Sequence, residues 1–216
     1  MSALHVFDMD GTLLRATTAS LEISRRLNQL DELTDLERRF ATGEITAAEF
    51  AVEVRELWAD LDPTLVADIA TGAPWIGGIA EVCADITARG ETSMLITMSP
   101  DFFARHLHDY GIEVVHGSLF PPLPFTAPID PEAILTPADK VRLTEAERTA
   151  RGLSPLACVA YGDSMSDEPL FAHLPNTVAV NADPTIEALA RVAYRGEDLR
   201  EAYAHGRDLL DQASSP

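Results

Sequence analysis

The stretch Leu4-His5-Val6-Phe7-Asp8-Met9-Asp10-Gly11-Thr12-Leu13-Leu14 decides how this chain is read. Ala3–Phe7 is a short, largely apolar run of the kind that forms a buried strand. It stops at an acid, a second acid two residues on, and a glycine. In open α/β sheets ligands bind beyond the carboxyl ends of the strands, so acids placed there are candidates for chemistry. An apolar run ending in polar residues able to handle a phosphoryl group recurs twice. Ser93–Thr97 runs into Met98-Ser99-Pro100, and Leu156–Ala160 runs into Tyr161-Gly162-Asp163 with Asp167 close behind.

Working outward, residues from 76 onward alternate helix and strand. Ile76–Arg89 reads as a helix stopped by Gly90. Ser99-Pro100 reads as an N-cap with proline at the first helical position, opening a helix to Tyr110. Glu113–Val115 reads as a strand, and Thr136-Pro137 opens the helix that bears Lys140. Asn176–Val180 and Val192–Tyr194 are later strands. Such alternation predicts an α/β fold with a doubly wound, mostly parallel, Rossmann-like sheet. Residues 15–75 differ. Leu21, Ile23, Leu27 and Leu30 recur at helical spacing, as do Phe50, Val54 and Leu57; Thr46 and Glu49 form a capping box, and Asp62-Pro63 opens a further helix. The expected division is a core of 1–14 and 76–216, interrupted by an all-helical insertion at 15–75. The end, Gln212–Pro216, reads as frayed.

Composition narrows the function. The 216 residues are 46% hydrophobic, with Lys+Arg 16 against Asp+Glu 35 and a net charge of −19. That balance excludes a nucleic-acid partner and an anionic membrane surface, both of which need clustered Lys and Arg. No apolar run approaches the roughly 18–20 residues of a membrane helix, and Asp8 and Asp10 fall too early for a signal peptide. A cytoplasmic protein is expected. Cys83 and Cys158 lack metal or disulfide spacing and read as reduced, buried thiols. Lys140 is the single lysine, every other basic side chain being Arg.

If the three strand tips are neighbours, Asp8, Asp10, Thr97, Ser99, Asp163 and Asp167 converge on one crevice. Asp8, Asp10 and Asp163 would then repel one another without a cation. All-oxygen ligands suit Mg²⁺, with a substrate phosphate completing the shell. Each motif alone reads as a turn. Their ordered recurrence at strand ends, with one lone lysine on a helix, does not.

These residues resemble the haloacid dehalogenase (HAD) superfamily, whose members are mostly Mg²⁺-dependent phosphatases. D-M-D-G-T-L-L is similar to its first motif, L-I-T-M-S-P-D-F to its second, Lys140 to its third, and Y-G-D-S-M-S-D-E-P-L-F to its fourth. The helical insertion after the first motif resembles the small cap of the phosphoserine phosphatase-like branch. The resemblance implies that Asp8 is the nucleophile, forming an aspartyl-phosphate, and that Asp10 is the general acid/base. It makes Thr97 and Lys140 partners of the phosphoryl oxygens. It makes Asp8, the Asp10 carbonyl and Asp163 the Mg²⁺ ligands, and Asp167 either a ligand or the residue that orients a bound water or Lys140.

Gly11, Thr12, Met98 and Ser99 border the expected phosphate site, and Arg15 and Arg55 are the expected substrate contacts from the insertion and its edge. The chain departs from phosphoserine phosphatases, which follow motif two with Gly-Gly and carry an acid near position 17. Here Ser99-Pro100 and Thr17 stand there, so another small phosphorylated metabolite is the expected substrate. The second acid of motif one, Asp10, favours phosphoryl chemistry over dehalogenation. The insertion has no lysine, which excludes the imine chemistry of phosphonate cleavage. A phosphotransferase that passes the group to an alcohol shares every residue of this scheme. A phospho-accepting regulatory module is the alternative of a different class, and Asp10 argues against it.

Overall fold

The structure is a computed structural model and describes residues 2–213. Strand β1 (Leu4–Phe7) leads into helices α1 (Ala19–Leu27), α2 (Leu30–Ala41), α3 (Ala47–Leu57) and α4 (Pro63–Gly72). Then come α5 (Ile79–Ala88), β2 (Thr92–Pro100), α6 (Asp101–Ala104) and β3 (Val114–Ser118). After these follow α7 (Pro137–Ala150), β4 (Cys158–Gly162), α8 (Glu168–His173) and β5 (Thr177–Val180). The described chain ends with α9 (Pro184–Leu189), β6 (Val192–Tyr194) and α10 (Leu199–Ala213). Gln212 and Ala213 are thus helical, and 214–216 lie outside the described residues.

The six strands form one sheet in the order β3-β2-β1-β4-β5-β6, every neighbouring pair parallel. β1 lies at the centre, in register with both neighbours: Phe7 faces Leu95 on one side and Tyr161 on the other. Side chains alternate between two buried faces, as a sheet covered on both sides requires. Leu4, Val6, Met94, Ile96 and Ala160 pack under Leu170, Phe171 and Ile186. Phe7, Leu95, Val159 and Tyr161 pack under Ile79, Val82, Ile86 and Leu209. Phe7 and Tyr161 stack with centroids 4.5 Å apart. Full burial of a side chain such as Leu4, Val6 or Phe7 is worth about 1.5–3 kcal/mol.

The chain leaves this core beside the point at which it returns. Ile76 N–H donates to the Leu13 carbonyl at 2.8 Å, and Arg15 N–H to the Pro74 carbonyl at 3.0 Å. The four helices between those points are built as their sequences require. Thr46 and Glu49 exchange the two bonds of a capping box at α3, and Asp62 caps α4 ahead of Pro63. Asn28, at φ 59°, ends α1 with its backbone N–H bonded to Arg25 and Ser24 carbonyls. Buried Trp58 ties α3 to α1 by donating from Nε1 to Ser24 Oγ at 2.8 Å.

Two expected boundaries move. β2 continues to Pro100 through a register shift after Ile96, so Ser99 does not cap a helix. The turn that follows is α6 plus a 3₁₀ segment over Arg105–Tyr110, not one α-helix from residue 100. Thr136 and Pro137, by contrast, open α7 in the expected way, with Asp139 completing a capping box.

Candidate active site

The site forms at the carboxyl ends of β1, β2 and β4. Asp8 N–H donates to the Tyr161 carbonyl at 2.9 Å, which continues the β1–β4 ladder one residue past the strand and holds Asp8 at its tip. Asp8 as a whole is only 6% exposed. Lys140 reaches it from α7: Nζ donates to Asp8 Oδ1 at 2.5 Å, Asp167 Oδ1 at 2.6 Å and Ser166 Oγ at 3.0 Å. Those are the three donors an ammonium has. Burial pulls the Lys140 ammonium toward neutrality, but Asp167 and Asp8 outweigh it and hold the group charged.

Asp10 faces the other side of the tip. Its Oδ2 accepts from Ser99 Oγ at 2.6 Å and Thr97 Oγ1 at 3.2 Å, and its Oδ1 from the Ala19 backbone N–H at 2.7 Å. Ala19 opens α1, so Asp10 sits at the first turn of that helix, where free N–H groups favour an anion. The register shift in β2 brings the Ser99 hydroxyl round to Asp10, which is why it is not spent as a helix cap. Burial raises the Asp10 carboxyl above its ordinary range despite these three donors.

Asp163 and Asp167 complete the set. Asp167 Oδ2 accepts from Asp163 N–H at 3.0 Å while its Oδ1 holds Lys140, so both oxygens are engaged. Gly162 makes this approach possible: a Cβ there would meet Asp167 Cγ at 2.3 Å. Gly11 does the same for Asp163. Its φ is +81°, and a Cβ would lie 1.9 Å from Asp163 Oδ2. Burial, reinforced by Asp167, pushes the Asp163 carboxyl up to about 7, against the pull of Lys140. Burial also lifts Asp8 well above the carboxylate range, with Lys140 opposing and Asp167, Asp163 and Asp10 adding to the rise.

Four carboxylates therefore face one ammonium. Asp8, Asp163 and Asp167 each place an oxygen within 4.8 Å of the others. Asp163 Oδ1 is buried with no hydrogen-bond partner among the described residues. An orphaned carboxylate oxygen amid surplus negative charge, with only oxygen donors around it, fits a hard divalent cation such as Mg²⁺.

Beside Asp10 opens a cavity of about 180 Å³ between the inserted helices and the core. Met98 and Ser99 line it, as does Asp10. The other expected substrate residues lie elsewhere. Gly11 and Arg15 border a separate groove next to Asp163, where Arg15 is paired with Glu197 at 2.5 Å. Arg55 donates to the Ala127 carbonyl at 2.9 Å and lies over the Phe125 ring. Thr12 is buried, and its hydroxyl has no partner among the described residues. The structure thus does not bring Arg15 or Arg55 to the cavity. It brings Glu37, Phe40, Phe50 and Phe120, which sequence reasoning passed over. For Glu37 a signal existed: Leu33, Leu36, Glu37 and Phe40 form one helical stripe, with an acid where an apolar residue is due. Ser166, the third partner of Lys140, carried no such signal.

A family model for haloacid dehalogenase-like hydrolases matches residues 5–172. The chain belongs to the haloacid dehalogenase-like hydrolases. Solved structures of similar fold include a phosphoserine phosphatase as a phospho-aspartyl intermediate analogue, with a TM-score of 0.77 at 19% identity over 94% of this chain and 98% of that one. A substrate-bound phosphoserine phosphatase gives 0.78 at 18% identity, over 95% and 98%. A HAD family hydrolase from Salmonella enterica serovar Typhi gives 0.81 at 17% identity, over 94% of this chain and 71% of that one. No curated protein sequence matches. Among the described residues no helix is long and apolar enough to cross a membrane.

Proposed function

We propose that this HAD-like hydrolase is an Mg²⁺-dependent phosphatase that hydrolyses a small-molecule phosphomonoester through an aspartyl-phosphate on Asp8. The observation that carries the reading is the pairing of Asp8 with a charged, buried Lys140 on one side of the β1 tip and a raised, hydrogen-bonded Asp10 on the other. Asp8 Oδ attacks phosphorus, the bond from phosphorus to the alcohol oxygen breaks, and the departing oxygen takes a proton from the Asp10 carboxyl. Water then attacks phosphorus, gives its proton to Asp10 and releases the Asp8 carboxylate with inorganic phosphate. Lys140 and Thr97 offset charge gathering on the phosphoryl oxygens.

Asp8, Asp163 and the Asp10 carbonyl would hold Mg²⁺, which when bound offsets the repulsion between Asp8 and the phosphate dianion. Asp167 serves as the positioning residue for Lys140, because both its oxygens are already engaged. Ser99 and Ala19 hold the Asp10 carboxyl toward the cavity, where the alcohol portion of the substrate lies. Residues 15–75 form the cap over this site, a reading supported by the adjoining exit and return of the chain. Phosphate release from a panel of small phosphomonoesters, with Mg²⁺ and with EDTA, tests the proposal. Release that requires Mg²⁺ and disappears in Asp8→Asn is expected; metal-independent release retained by Asp8→Asn would refute it.

A further inference from the structure

The cavity beside Asp10 has a chemical character of its own, and it constrains the alcohol half of the substrate. Its walls are mostly apolar and aromatic, with Phe40, Phe50, Val54, Phe120 and Ile134, and carry the hydroxyls of Thr18, Ser20, Ser99 and Ser118. The charged side chains lining it are Asp10 and Glu37, both acids. The arginines of the same helices are occupied elsewhere. Arg38 pairs with Asp35, Arg39 with both oxygens of Glu53, and Arg55 with a carbonyl.

Glu37 itself makes no hydrogen bond or ion pair among the described residues, although it is half-buried. A partly desolvated carboxylate without a donor is costly unless a ligand supplies one. Burial and the nearby Asp10 hold its carboxyl above the ordinary range, as expected where a positive partner is missing. Phenyl rings line the same cavity, and ring quadrupoles attract ammonium groups.

Resting on the phosphatase reading above, we propose that the substrate is the phosphomonoester of a small amino alcohol, its ammonium group held by Glu37 among Phe40, Phe50 and Phe120, with no second anionic group. The cavity, about 180 Å³, admits a short carbon chain ending in an ammonium. A carboxylate on the same chain would face two acids and no cation.

The test compares kcat/KM for 2-aminoethyl phosphate, propyl phosphate (its uncharged isostere) and phosphoserine, in wild type and in Glu37→Gln. A preference for the aminoethyl over the propyl ester of about 10- to 100-fold is expected, the range of one charge-assisted hydrogen bond. Phosphoserine should be poorer than the aminoethyl ester, and Glu37→Gln should bring the aminoethyl-to-propyl ratio toward one. Because each ratio is read within one protein preparation, partial unfolding of the variant cancels. Equal or better turnover of the propyl ester, or an unchanged ratio in Glu37→Gln, overturns the amino-alcohol assignment while leaving the phosphatase reading intact. Release from none of the three esters, nor from the wider panel, overturns both.

Discussion

Asp163→Asn should make the metal-free protein more stable while removing its response to Mg²⁺. In the fold the Asp163 carboxyl is pushed from an ordinary 3.8 up to about 7, burial being the main cause. The sign follows from proton binding. Between those two values the folded state holds a proton that the unfolded state has lost, so stability falls as pH rises through that window. Above about pH 7 the full penalty applies, and at about 1.36 kcal/mol per pH unit it amounts to at most about 4 kcal/mol. Asparagine keeps the shape and removes the charge. For a chain of this size about 2–4 °C accompanies each kcal/mol, so the variant should melt up to about 8–16 °C higher than wild type at pH 8 in EDTA. The gap should close toward pH 4, where both proteins are neutral at this position. Adding Mg²⁺ should raise the wild-type melting temperature and leave the variant nearly unmoved. Differential scanning calorimetry in both buffers reads all of this. A variant that melts below wild type at pH 8 in EDTA, or one stabilised by Mg²⁺ as much as wild type, would refute the reasoning.

Other consequences are equally direct. Lys140→Met removes the cation from between Asp8 and Asp167; turnover should fall by about 10²–10³-fold, as when one donor to a developing oxyanion is lost, with steady-state kinetics as the check. Gly11→Ala would drive a methyl into Asp163 at a left-handed backbone position, and should cost about 1–3 kcal/mol of stability together with Mg²⁺ binding, measured by denaturant unfolding and by titration of the metal. His5 lies buried between Tyr161 Oη and Glu91, each at 3.0 Å, and burial depresses its imidazole below 6.5. The unfolded chain therefore takes up a proton near pH 6.5 that the fold refuses, so His5 makes stability fall as pH drops below that value. The wild-type minus His5→Gln difference in melting temperature should shrink between pH 7 and pH 5.5; a constant difference would contradict a neutral His5.

The strand tips were legible because each is an apolar run ending in polar residues, acids after β1 and β4 and Thr97 with Ser99 at β2, and the parallel sheet brings all three ends to one side. Lys140 was legible because it is the single lysine. What escaped depends on contacts between distant segments. Ser99 was expected at the crevice but its partner escaped: it reads locally as a helix cap, yet the extended β2 gives its hydroxyl to Asp10, 89 residues away. Arg15 reads as a free cation beside the site, but Glu197 captures it from near the far end of the chain. Arg55 is likewise taken by the Pro-rich stretch after β3, through the Ala127 carbonyl. The substrate cavity is assembled from α2, α3 and the segment around Phe120 and Ile134; no single stretch describes it. Glu37 alone left a trace, as an acid on the inward stripe of α2.

The central claim is that Asp8 carries the phosphoryl group. Acid-quenching the enzyme during turnover of a hydrolysable phosphomonoester with Mg²⁺, reducing with borohydride and mapping peptides by mass spectrometry tests it most directly. The expected product is an acyl phosphate that is converted to homoserine at position 8 and is absent in Asp8→Asn. A phosphorylated residue elsewhere, or undiminished turnover in Asp8→Asn, would contradict it.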